Sequence, residues 1–156
     1  MSGSSEPGRP PRRPVGSVVG RLLAVFDTPA EADAAVAALA SFPAVDPSRV
    51  ERYDRPEDAA AFDASGRRRG WRGRLFRIIE FSWADQAPDF AWYEAAVREG
   101  HVVISVPARG ESVVRDVAAV LEAHGGHFIN HYGWFETQEL ARWRGQEPDV
   151  PGFLRR

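Results

Sequence analysis

Four histidines could serve acid–base or metal chemistry: His101, His124, His127 and His131. Three of them fall within eight residues, and Tyr132 follows the last. Imidazoles bind metals and exchange protons near neutral pH. His127 and His131 are four apart in a segment that reads as a strand, so their Cβ atoms lie ~13 Å apart at ~3.3 Å per residue. Zinc requires nitrogens at ~2.0–2.1 Å, so one ion cannot take both, and no metal site is expected. His124 ends a helix, where a cation meets the negative end of the dipole. Two readings stay open for the others. One is a pH-sensitive contact at a sheet edge. The other is a ligand or partner surface made of His101, His127, Asn130, His131 and Tyr132. A regular strand places Phe128, Asn130 and Tyr132 on one face and His127, Ile129 and His131 on the other. Whichever face turns inward brings polar groups that need hydrogen bonds, and the turns around Gly126 and Gly133 are the expected partners.

A second candidate surface is basic. Residues 27–65 carry nine acids against Arg49, Arg52 and Arg55, a net of −6, whereas residues 66–77 carry six arginines and no acid. Arg67, Arg68, Arg69, Trp71, Arg72, Arg74 and Arg77 could meet an anionic partner. A helix over 71–83 would set its arginines against Leu75, Phe76, Ile78 and Ile79. Such a helix either covers an open sheet face or docks on a partner or an anionic membrane surface; covering is the expectation, because a sheet face needs a layer. Nucleic acid is not expected, since the net charge is −2 and aromatic strand readout motifs are missing.

Much chemistry is excluded outright. There is no cysteine, and all 20 basic residues are arginine. Disulfides, thiolate metal sites, cysteine nucleophiles, lysine Schiff bases and the P-loop lysine are thereby absent. No G-x-S-x-G, H-E-x-x-H or strand-following G-x-G-x-x-G is present. The carboxylates are expected in exposed positions such as Glu57 and Asp58, with no apolar setting to raise a pKa. No cofactor is expected. No apolar run reaches the ~18 residues needed to span a bilayer, and nothing resembles a signal peptide, so a cytoplasmic location is the expectation.

The elements that must position these residues form two similar units. Residues 18–26 are an apolar run fit for a central strand. Thr28, Pro29 and Glu31 then give a capping box with proline at the first helical position. Ala32, Ala35, Val36 and Leu39 follow at helical spacing, and residues 49–53 form a short polar strand suited to an edge. The second unit repeats this: an apolar strand at 101–106, a helix with Val113, Val114, Val117, Val120 and Leu121, a glycine stop at 125–126 and a strand at 127–134. Between them, helices are expected at 56–64, 71–83 and 89–98. The fold class is α+β: a ferredoxin-like two-layer sandwich with a four-stranded antiparallel sheet and extra helices between strands 2 and 3. The expected organisation is a disordered tail (1–14), one domain (15–135, with a helical insertion at 55–99) and a polar, partly helical C-terminal tail (136–156).

The chain resembles the bacterial general stress protein 17M-type (heat-induced stress protein) domain family. The likeness lies in FDT at 26–28 with its Ala- and Glu-rich helix, YEAAVREGH at 93–101, LEAHGG at 121–126 and GGHFINHYG at 125–133, and covers about residues 19–140. It implies a small cytosolic ferredoxin-like domain linked to stress response, with no assigned activity and no catalytic residues. The expected function is therefore a non-catalytic stress-associated or regulatory binding domain, acting as a homodimer through edge strands or through a protein partner. One alternative is a peripheral membrane or partner-docking module using 71–83. Another is a small-ligand or metal-binding protein, enzymatic or not, using His101, His127, His131 and Tyr132.

Overall fold

The computed structural model describes residues 18–62, 87–134 and 136–154. The elements in chain order are β1 (Arg21–Phe26), α1 (Pro29–Leu39), β2 (Glu51–Tyr53), α2 (Ala87–Arg98), β3 (Val102–Pro107), α3 (Glu111–Ala123), β4 (His127–Tyr132) and β5 (Thr137–Ala141). The basic segment with Arg67, Arg68, Arg69, Trp71, Arg72, Arg74 and Arg77, the expected helix at 71–83 and the tail 1–14 lie outside the described residues.

The class is α+β, with one antiparallel sheet in the order β2-β3-β1-β4-β5. The two apolar runs lie side by side, from Arg21↔Pro107 to Phe26↔Val102. Strands β1 and β2 are both antiparallel to β3, so α1 connects two parallel strands across β3; α3 likewise connects β3 to β4 across β1. β1 is buried on both faces because the layers differ in origin. Leu22, Ala24 and Phe26 pack with α1 and α3. Leu23 and Val25 pack with Trp92, Tyr93 and Val97 of α2, and with Phe62 of a 3₁₀ helix at Pro56–Phe62. Full burial of each such aliphatic side chain is worth about 1.5–3 kcal/mol.

This arrangement corrects three expectations. Helices cover both faces, so the body has three layers rather than two; α2 and the 3₁₀ turn cover the second face. The sheet has five strands rather than four. Thr137–Ala141, expected in the polar tail, is a strand paired with β4 from Tyr132↔Thr137 to Ile129↔Ala141, and the helical part of the tail is a 3₁₀ turn at Gly152–Leu154. The T-Q-E-L-A stretch has no strong strand propensity. Satisfying the outer backbone edge of β4 outweighs local preference.

Local signals work where chemistry is local. The Glu31 N–H donates to Thr28 Oγ1 at 3.2 Å, and the Thr28 N–H donates to Glu31 Oε2 at 3.3 Å. Helix α3 ends where the Gly126 N–H donates to the Leu121 carbonyl at 2.8 Å. A Cβ on Gly126 would sit 2.6 Å from that same oxygen, so only glycine fits the reversal.

Candidate functional site

Three strand ends converge at one end of the sheet. Asp27 follows β1, His101 precedes β3 and His127 opens β4. The chain returns to the same place after β5, bringing Trp143 and Arg144. A bulge aims His127 there. Leu23 pairs with Asn130, and the next pair is Val25 with His127, so two β4 residues, Phe128 and Ile129, oppose Ala24 alone. Phe128 takes a left-handed φ of 46°, a conformation bulky side chains seldom adopt. The extra residue turns His127 onto the face of Asn130, against the alternation expected from a regular strand. Strand β5 also covers β4, so neither His127 nor His131 lies on a sheet edge.

His127 is 1% exposed and hydrogen-bonded through both nitrogens. The Arg144 backbone N–H donates to Nδ1 at 3.2 Å, which makes Nδ1 an acceptor. Nε2 therefore carries the proton and donates to Asp27 Oδ1 at 2.8 Å. Burial holds the His127 pKa below its ordinary value of 6.5; the Asp27 carboxylate opposes this shift, while Arg144 and His101 reinforce it. His101 presents Nε2 to the same carboxylate oxygen at 3.5 Å. Its Nδ1 is buried without a hydrogen-bond partner among the described residues. The Trp143 ring stands edge-on to His127, with centroids 4.7 Å apart, and to His101 at 5.4 Å. Beyond the rings opens a cleft of about 610 Å³ lined by Asp27, Glu99, His101, Arg144 and residues 145–149. Four carboxylates (Asp27, Glu99, Glu147, Asp149) outnumber the single arginine there.

Of the sequence candidates, the structure brings together only His101 and His127. Asn130 and Tyr132 are core residues beneath α2. Asn130 Nδ2 donates to the Tyr93 hydroxyl at 2.9 Å. That hydroxyl sits 3.3 Å from the Leu23 carbonyl and 3.1 Å from the Phe128 carbonyl, bridging β1 and β4 at the bulge. The partners of Asn130 thus come from α2 rather than from the neighbouring turns. The Tyr132 hydroxyl donates to buried Asp89 at 3.2 Å, and burial raises its pKa well above the ordinary value. His131 turns to the other face, with Nε2 3.0 Å from the Ala108 carbonyl. His124 Nδ1 lies 2.8 Å from the Val120 carbonyl in its own helix.

Asp27, Trp143 and Arg144 are the residues that sequence reasoning passed over. Asp27 stood out only as the stop after an apolar run, and no spacing links it to positions 101 and 127. His127 is enclosed and already donates its proton to a carboxylate, so it has no free nitrogen for a substrate. Among the described residues, no group of three histidines and acids is disposed to hold a metal ion. No described helix is long and apolar enough to cross a membrane. No family model matches the chain, and neither a curated protein nor a solved structure matches it.

Proposed function

We propose that this chain is a non-catalytic regulatory binding domain that acts by pairing with a second copy of itself through the open edge of β5. The observation that carries this reading is that edge. The Gly133 N–H donates to the Glu136 carbonyl at 2.9 Å, so this is a hydrogen-bonded pair of the β4–β5 ladder. By the alternation of antiparallel ladders, the backbone of Thr137, the next residue along, points away from β4. Thr137, Gln138 and Glu139 are exposed. Trp134, 78% exposed, stands at the start of this edge. Strand backbone at Thr137 that no described residue pairs, beside an exposed aromatic, invites a strand from another molecule. The opposite edge, β2, is poorer, being three residues long with Arg52 tied to Asp33 and Asp54.

The order β2-β3-β1-β4 with its two helical crossovers supports a ferredoxin-like core to which β5 is added. The likeness to general stress proteins, the bacterial origin and the cytoplasmic location rest on the sequence strings and belong to this proposal. Light scattering across a concentration series tests it. Wild type should approach twice the chain mass, and Thr137→Pro, which removes only an outward N–H, should stay a monomer with unchanged circular dichroism. A strict monomer at high concentration overturns the reading.

A second reading is favoured by the orphaned His101 Nδ1 beside the cleft: a small ligand held by Asp27 and His101. Native mass spectrometry of protein taken from its own cells should then show a retained mass that Asp27→Ala loses.

A further inference from the structure

We infer that His127 is a pH-operated latch, and that it fastens the strap of residues 142–149 across the end of the sheet, where the strap forms one wall of the cleft. The inference concerns the second reading's cleft rather than the β5 edge, and it stands whether or not the chain pairs.

The strap is held at four points. The Phe128 N–H donates to the Arg142 carbonyl at 3.0 Å, and the Arg144 backbone N–H donates to His127 Nδ1 at 3.2 Å. The Arg144 side chain adds a bond from Nη2 to the Gly126 carbonyl at 2.9 Å. At the far end, the Asp149 backbone N–H donates to Glu99 Oε1 at 2.8 Å. Within the strap, the Trp143 Nε1–H donates to the Gln146 carbonyl at 2.9 Å, folding it on itself.

The two nitrogens of His127 have unequal fates on protonation. Nε2 already carries a hydrogen and keeps its bond to Asp27, which a positive ring strengthens. Nδ1 can gain a proton only by losing the Arg144 N–H, because two donors cannot share that bond. Acid thus releases the Arg144 backbone from the sheet end, while the bonds of the strap to Gly126 and Glu99 remain. The charged groups facing His127 come from three sides: Asp27 after β1, His101 before β3 and Arg144 of the strap. Asp27 favours the cationic ring; Arg144 and His101 disfavour it, and the Arg144 cation repels it in the direction of release. A buried imidazole that is neutral at pH 7 and already accepting a hydrogen bond is set to respond to a fall in pH.

Nuclear magnetic resonance of the full ¹⁵N-labelled chain reads each step. At neutral pH the His127 side-chain nitrogens should report a proton on Nε2 and none on Nδ1. As pH falls through the His127 titration, the protection factor of the Arg144 amide should drop about tenfold per pH unit, while the Asp149 amide keeps its protection. In His127→Gln the drop should vanish. If that variant does not fold, the wild-type tautomer and the comparison of the two amides decide alone. A proton on Nδ1 at neutral pH overturns the inference. So does an Arg144 amide whose protection stays constant while His127 titrates, or equal loss at Arg144 and Asp149.

Discussion

Replacing Tyr93 by phenylalanine removes one oxygen atom from the middle of the core and should be costly. Tyr93 is fully buried. Its hydroxyl spans the carbonyls of Leu23 and Phe128 at 3.3 and 3.1 Å and accepts from Asn130 Nδ2 at 2.9 Å. Asn130 is itself fully buried, and its Oδ1 already lacks a hydrogen-bond partner among the described residues. The variant therefore deprives one buried amide of its hydrogen-bond acceptor and removes one donor proton from the bulge. An unsatisfied buried group costs about 1–3 kcal/mol, so the two losses together predict about 2–6 kcal/mol. At about 2–4 °C per kcal/mol for a chain of this size, Tm should fall by about 4–24 °C. Urea unfolding followed by circular dichroism measures the cost. A double-mutant cycle with Asn130→Leu should show coupling of at least about 1 kcal/mol, since removing both partners spares the orphan. If Tyr93→Phe lies within about 0.5 kcal/mol of wild type, the hydroxyl does not hold the bulge, and the account of why His127 faces Asp27 fails with it.

Other outcomes follow from the same geometry. Because the folded state favours neutral His127, the unfolded chain binds the proton first; this stability is complete above about pH 6.5 and is lost as pH falls through the lower folded value, so urea midpoints should decline on acidification and His127→Gln should flatten that decline. Gly126→Ala drives a Cβ to 2.6 Å from the Leu121 carbonyl and should cost about 1–3 kcal/mol. Gly145→Ala, with φ of 81° but nothing within 4 Å, should cost only about 1 kcal/mol, its backbone strain alone. Thr28→Ala removes the capping oxygen of α1 and should cost about 1 kcal/mol, read as a shift in urea midpoint without a change in slope.

The parts legible in the sequence were those determined by nearby residues. The capping box at Thr28, the apolar runs of β1 and β3, the stripe of α3 and the glycine stop at 125–126 depend on spacing within a turn or two, and each stands where it was expected. Asn130 and Tyr132 share a face with Phe128, as alternation requires. What failed depended on partners distant in the chain. Strand β5 exists because β4 offers an edge, and nothing within T-Q-E-L-A announces that. The bulge that turns His127 toward Asp27 is held by a tyrosine on α2, so no strand periodicity could place His127 on that face. Trp143 could not be placed at the site from sequence because its neighbours Trp92, His101, His127 and Phe128 come from α2, the turn before β3 and β4.

The placement of β1 at the centre of the sheet bears on how the molecule is made. This strand leaves the ribosome well before its neighbours, which begin at Val102 and His127. At about 5–20 residues per second, a nascent chain holds this greasy stretch without a mate for several seconds before either neighbour is synthesised. During translation that interval, rather than any weakness of the finished body, is when aggregation threatens and when a holding chaperone would find its target.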